Sequence, residues 1–312
     1  MSAAEAEPPC PSAVVGRSGR AAHRDVGTRR DRRIPVLGWV GFALVLMFVI
    51  MGLGASRLAG YRVIELAGKP FRPPSLSHLL GTNLVGQDLA TQLFQGARTS
   101  LFMAVAAGGG TVVVGVVVGM LAGWTGGPTD AVLLRVMDIF LVIPGLPLLV
   151  VLGAYAGPSM TGVAIIIIAT AWPATARLVR AQVLSLRPRA HLRASVGFGA
   201  GTIQVLRRHV LPEVTLVAMA AFVASAGWAV MIESGLAFLG LGDPLRASWG
   251  RTIRDALNFH SLFFSGAWKW WLLPPVLCVA LFLLGLTFCG IALEHRVNPR
   301  VARHAVAPGA RA

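Results

Sequence analysis

The sequence predicts an all-α polytopic membrane protein with about six transmembrane helices and both termini cytoplasmic. Three observations carry this expectation. Hydrophobic residues make up 55% of the 312 residues and charged residues only 13%, and the mean hydropathy is +0.70, a composition outside the range of soluble domains. The apolar residues gather into runs long enough to cross a hydrocarbon layer, which takes about 20 residues per helix. Arginines gather instead in the short segments between those runs, and a six-span topology puts Lys and Arg on the inner side by about two to one. The net charge of +15 therefore reads as a record of topology, and no nucleic-acid partner is expected.

Taken in order, residues 1–34 form a Pro-, Ala- and Arg-rich tail without apolar periodicity, expected to be disordered, cytoplasmic and close to anionic lipid. Pro35–Gly54 is the first span. A cleaved signal peptide is the competing reading, but its apolar core would be shorter, about 7–15 residues, and no Ala-x-Ala site is evident. Residues 55–98 are polar and assigned outside. Leu101–Trp124 is the second span, with Gly115, Gly119 and Gly123 on one helix face where another backbone can approach. A turn over Thr125–Asp130 leads into a third span, Ala131–Tyr155, which Pro144 and Pro147 are expected to bend. Asp138 is an intramembrane carboxylate and so a candidate for the substrate path; Arg135, three residues away, predicts a local ion pair instead. Gly162–Ala176 is the fourth span.

Between the fourth and fifth spans lies a basic loop, 177–213, with seven arginines and Glu213 as its only acid. Leu192–Val196 suits a short helix, Gly199 and Gly201 a break, and Thr202–Val210 a second helix ending at Pro212. The fifth span, Val214–Leu239, carries Glu233 near its outer end. It either lines a substrate path or snorkels to the interface, the second being the simpler expectation. Trp268, Trp270 and Trp271 predict an aromatic belt before the sixth span, Leu272–Leu293, and residues 297–312 form an inner tail. Cys278 and Cys289 lie about 16 Å apart along one helix, too far to bond to each other, and Cys10 lies in the tail. No metal-ligand spacing occurs. Neither lysine, Lys69 nor Lys269, stands in a Gly-Lys-Ser/Thr triplet, so the chain has no phosphate-binding loop of the Walker type.

The loop resembles the cytoplasmic Glu-Ala-Ala loop of the membrane subunits of binding-protein-dependent ATP-binding cassette (ABC) importers. That pattern is Glu-Ala-Ala, three residues, Gly, nine residues, Ile, one residue, Leu-Pro. Ala194, Gly199, Leu211 and Pro212 fall on it, while Arg193 stands for the Glu, Ser195 for the second Ala and His209 for the Ile. GTNLVGQDLATQLFQGARTSL, residues 81–101, resembles the Gly-Thr-Asp…Gly-Arg-Asp…Gly-Ala-Arg-x-Ser-Leu segment of the dipeptide, oligopeptide and nickel permeases. Gly81, Thr82, Asp88 and Arg98 are on pattern there, while Asn83 and Gln87 depart from it. ESGLAFLGLG from Glu233 and SWG from Ser248 are similar to two further segments of the same subfamily, with Ala247 in place of a Pro. The tail ALEHRVNPR resembles that family's ending, with Asn298 in place of an Asp.

The resemblance implies a type I ABC importer permease fold over residues 99–296 in a bacterial inner membrane. It also implies one half of a translocation pore for di- or oligopeptides. Expected partners are a homologous permease subunit, two ATPase subunits and an extracytoplasmic solute-binding protein. The chain itself is expected to be no enzyme and to bind no cofactor, ATP and magnesium being used by the ATPases. Arg193, Ala194, Ser195, Gly199, Leu211 and Pro212 would contact the ATPase. The bland reading of that stretch is an ordinary basic loop. A nickel-chelate permease is the near alternative, and a membrane-embedded enzyme and an ion-coupled secondary transporter are more distant ones. Both distant alternatives need titratable groups converging inside the membrane, whereas the spans offer only Asp138 near one face and Glu233 near the other.

Overall fold

A computed structural model of the protein describes residues 33–297 apart from 59, 62 and 63. Expectations for the basic tail before Arg33, for Cys10 and for the stretch from Asn298 onward lie outside the described residues. The helices are α1 (Arg33–Leu58), α2 (Leu89–Met103), α3 (Gly109–Thr125), α4 (Gly127–Val142), α5 (Gly145–Ala156), α6 (Met160–Leu186), α7 (Ala190–Gly197), α8 (Thr202–Val205), α9 (Leu211–Phe238), α10 (Trp249–Leu257) and α11 (Leu273–Val297). Single π turns, Ala104–Gly108 and Leu206–Val210, join α2 to α3 and α8 to α9. Two unbroken helical segments of 37 residues result, Leu89–Thr125 and Thr202–Phe238.

Glycine contacts fix the direction of each crossing. A Cβ on Gly115 would meet Thr175 at 2.6 Å, one on Gly119 the Ala176 carbonyl oxygen at 2.5 Å, and one on Gly123 the Val183 Cβ at 2.8 Å. Sequence numbers rise together along both helices, so α3 and α6 are parallel neighbours in backbone contact, as the four-residue glycine repeat predicts. Parallel neighbours need a return crossing between them, and only α4 and α5 supply it. These two helices meet at 86°. Pro144 pushes Ile143 to ψ 129°, outside the helical region as proline does to the residue before it. Pro147 sits in the first turn of α5, where its missing N–H goes unneeded. At the other side of the bundle α1 and α11 are antiparallel: Gly38 abuts Ala292 and Gly41 abuts Phe288. With the bent α4–α5 pair taken as one, the described residues thus hold six candidate crossings, and the start of α1, the end of α11 and the 187–201 elbow lie at the same end.

Several boundaries differ from the sequence expectation, for physical reasons. The turn expected over Thr125–Asp130 shrinks to Gly126 and Gly127, whose φ values of +66° and +59° only glycine adopts without strain. The fourth span runs on to Leu186, because arginines on a helix leaving the membrane are no bar to helix. Pro212 does not end its helix: the preceding π turn re-registers the hydrogen bonds, with Leu211 N–H reaching the Leu206 carbonyl, and the proline enters at a position where no donor is required. The tryptophans do not form a belt. Trp271 is buried and Trp268 and Trp270 pack partly beneath it, in a cluster with Leu89, Ala256, Leu262 and Phe71. The segment between α10 and α11 folds over the bundle end and takes these rings inward.

Candidate functional site

The elbow is built from α7, a glycine break and α8. Its first helix ends in a Schellman motif: Ala200 N–H donates to the Ser195 carbonyl at 3.1 Å and Gly199 N–H to that of Val196 at 3.0 Å. Gly199 at φ +82° occupies the left-handed position this cap requires. Ser195 Oγ donates to the His191 carbonyl at 2.9 Å, so the residue at the second Ala position is spent within its own helix. Leu192 is the residue of α7 that is buried. It joins Val205, Leu206, Val210 and Val214 in one cluster with Val112, Val116, Val179, Val183 and Leu186. The elbow therefore shares its core with the adjacent ends of α3, α6 and α9. Arg193 and Ala194 are exposed on its outer face, as are Leu211 and Pro212 at the start of α9.

The loop arginines divide into two groups. Arg180 makes a bidentate pair with Asp130, Nε and Nη2 each 2.6 Å from a carboxylate oxygen. Arg187 Nη1 donates to the Gly123 carbonyl at 3.4 Å, and Arg189 Nη1 lies 3.1 Å from Glu213. Arg177 pairs with Asp138. This last contact corrects the expected pairing of Asp138 with Arg135, which stands exposed on α4. A residue 39 positions away takes the carboxylate because α6 lies alongside α4. These four arginines brace the elbow-side ends of α3, α4, α6 and α9. Arg193, Arg207 and Arg208 have no ion-pair partner among the described residues.

Where α4 breaks into α5, an open cavity of about 500 Å³ is walled by Phe140, Ile143, Thr170, Leu178, Ser225 and Trp228, among others from α4, α5, α6 and α9. None of its lining residues is charged. Thr170 Oγ1 donates to the Ile166 carbonyl at 2.8 Å, which leaves the wall still less polar. On the flank of the break Val142 is 82% exposed, so this chain walls the space on one side and leaves the other open. Asp138 and Glu233 do not line it, and no sequence motif marks the uncharged residues that do.

At the opposite end, the 81–101 motif is structural. Asp88 caps α2, accepting from Thr91 N–H at 2.8 Å, and meets His78 Nδ1 at 3.1 Å with both side chains buried. Thr82 Oγ1 donates to the Lys69 carbonyl and accepts from Arg72 N–H, both at 2.9 Å. Gly81, at φ +74°, has the Arg72 carbonyl 2.3 Å from where a Cβ would stand. Arg98 is exposed on α2. Glu233 does not snorkel: it is 7% exposed, accepts from Ser234 Oγ at 3.4 Å, and lines a pocket of about 10 Å³ with Thr99, Arg246 and Ser248. The reason is the fold-back after α9. Gly250 sits against the Ser234 carbonyl, Thr99 Oγ1 donates to the Ala247 carbonyl at 2.7 Å, and Trp249 Nε1 donates to that of Leu93 at 3.0 Å. Together these contacts seal the carboxyl under the 242–250 segment.

Residues 115–303 match the family described as "Binding-protein-dependent transport system inner membrane component". The dipeptide transport system permease protein DppC of Bacillus subtilis (strain 168) is 30% identical over 269 residues, covering 86% of this chain and 83% of that protein. The oligopeptide transport system permease protein OppC of the same organism is 28% identical over 270 residues, covering 86% of this chain and 87% of that one.

Proposed function

Because this chain belongs to the family of binding-protein-dependent transport system inner membrane components, we propose that it forms one half of the path by which an ATP-driven importer carries peptides across the bacterial inner membrane. Support comes foremost from the bent third crossing. It opens an uncharged cavity of about 500 Å³ toward a flank that this chain leaves uncovered, which a homologous permease subunit would close. A wall without fixed charge suits a zwitterionic backbone in transit, since it offers no counter-ion at which the peptide would stall.

Movement enters at the elbow, which lies on the cytoplasmic side together with the start of α1 and the end of α11. An ATPase subunit, one of a pair, docks against Arg193, Ala194, Ser195 and Gly199 of the elbow and Leu211 and Pro212 at the start of α9, and an extracytoplasmic binding protein delivers the peptide at the opposite end. ATP and magnesium stay with the ATPases, and this chain contributes no catalytic group. Since Leu192 is packed in one core with α3, α6 and α9, displacement of the elbow carries these three as a block. The pliable element is then the Ile143–Pro144 break, and the block's two positions give a bistable element whose populations ATP and the loaded binding protein bias. Asp130–Arg180 and Asp138–Arg177 tie α4 to α6 on the cytoplasmic side of the break, so α5 is left as the part that swings.

The test is reconstitution of this chain with its co-encoded permease, ATPases and binding protein in liposomes, followed by accumulation of a labelled tripeptide and pentapeptide. ATP-dependent uptake of either is the expected result. Uptake of a nickel chelate alone would overturn the peptide reading, and uptake driven by an ion gradient without the ATPases would overturn the importer reading.

A further inference from the structure

Among the side chains that line the cavity at the α4–α5 break, those of Thr170, Thr175, Ser225 and Trp228 carry a polar atom. The Thr170 hydroxyl is spent on its own helix. Such back-bonding is the ordinary fate of a helical hydroxyl, and Thr125, Thr215 and Thr287 show it here, each donating to the carbonyl four residues back at 2.8 Å. Thr175 Oγ1, Ser225 Oγ and Trp228 Nε1 have no hydrogen-bond partner among the described residues. Ser100 and Thr111 also lack one, but their hydroxyls are shut away from any space. The other three groups open on a cavity of about 500 Å³.

Packing sets where these groups stand. A Cβ on Gly115 would lie 2.8 Å from Thr175 Cγ2, so the close approach of α3 and α6 holds that methyl. A β-branched side chain whose methyl is fixed has its hydroxyl fixed as well. Ala171 and Trp228 pack on one buried cluster, while Val179 and Ala221 belong to another. Thr175 is four residues from each of Ala171 and Val179 on α6, and Ser225 lies between Ala221 and Trp228 on α9, so the two hydroxyls share a level. Trp228 follows three residues later on the same face of α9, a rise of about 4.5 Å.

We propose that Thr175, Ser225 and Trp228 form a hydrogen-bonding station for the peptide main chain within the cavity. This rests on the importer reading above and adds which groups hold the cargo and which of its features they read. An extended peptide advances about 3.4 Å per residue, so the indole and the two hydroxyls meet neighbouring peptide groups. The indole N–H only donates and takes a carbonyl, whereas a hydroxyl serves a carbonyl or an N–H. A peptide entering an otherwise apolar space sheds water from its amides, which is unfavourable unless they are paired. Three neutral partners offset that loss for any sequence, because they address the part of the cargo that all peptides share.

The experiment uses the complete importer in liposomes, supplied with saturating binding protein that carries either a labelled tripeptide or the same compound with esters in place of both peptide bonds. The esters lack the N–H and offer weaker carbonyl acceptors. Uptake rates are compared for the wild type, Thr175→Val, Ser225→Ala and a chain in which a benzothiophene isostere, lacking the N–H, replaces the Trp228 indole. Each change should slow tripeptide uptake about three- to tenfold and ester uptake by about twofold or less. Equal slowing of both substrates would overturn the proposal, since damage to folding or coupling does not distinguish an amide from an ester. Tripeptide uptake at the wild-type rate in all three variants would overturn it as well. Absence of ATP-dependent uptake of either substrate by the wild-type assembly would instead overturn the importer reading on which the proposal rests.

Discussion

Truncating Leu192 to alanine should detach the elbow from the bundle while leaving the bundle intact. Leu192 is the buried side chain of an eight-residue helix, and the other ties of that segment are weak. Arg189–Glu213 joins two half-exposed side chains, worth about 0–1 kcal/mol. Deleting a buried leucine down to Cβ costs about 2–5 kcal/mol. At about 3 kcal/mol, the equilibrium for opening residues 190–200 rises about a hundredfold. Hydrogen exchange on the full chain in nanodiscs reads this directly, through the amides of Arg193 and Phe198, which donate to Arg189 and Ala194. Their exchange should accelerate by about that factor, with α3 and α6 amides unchanged. In the assembled importer ATP hydrolysis should persist while peptide uptake falls. Exchange within about twofold of wild type would refute the reasoning, since the elbow would then be held by something other than its share of the common core.

Four further outcomes follow from the packing and the contacts of individual residues. Gly119→Ala should destabilise the chain by about 1–3 kcal/mol in a thermal or steric-trapping assay, because its Cβ meets backbone at 2.5 Å. Gly197→Ala, with open space around it, should be neutral or gain up to about 1 kcal/mol. Removing Arg180 or Asp130 singly should cost about 1–3 kcal/mol, and the double substitution should cost about 1–2 kcal/mol less than the sum, as a double-mutant cycle would measure. Gly199→Ala should cost about 1–2 kcal/mol by forcing a Cβ into the left-handed region, visible as increased trypsin cleavage after Arg193.

Much of the architecture was legible because membrane spans are written in composition. Pro144 and Pro147 marked the bend, and the Gly115, Gly119, Gly123 repeat marked the tightest helix contact. What the sequence concealed was long-range partnership. Arg135 lay nearest to Asp138 in sequence, but the partner is Arg177, brought alongside by the α4–α6 packing. Glu233 read as an interfacial carboxylate because nothing local announces that the 242–250 segment folds back over it. The tryptophans before the last span looked like an interfacial belt by position alone, and Trp271 became core once that segment closed over the bundle end. Of the elbow, the frame of Ala194, Gly199, Leu211 and Pro212 stood in the sequence, whereas the exposure of Phe198 at its tip did not.

The broken third crossing also has a consequence for biogenesis. Its two pieces, of 16 and 12 residues, rise about 24 and 18 Å, and neither alone matches a hydrocarbon thickness of about 30 Å. The chain's weakest membrane segment is thus the one on which the sidedness of everything downstream depends. Were it to slip back during synthesis, α6 would enter from the wrong leaflet, antiparallel to the α3 glycine face made for it, and the arginines that follow would have to be dragged across the bilayer. On the cytoplasmic placement proposed for the elbow, those arginines would act for the newly made chain as ballast, holding the next loop at the site of synthesis until a kinked pair too short to anchor itself is captured by its neighbours.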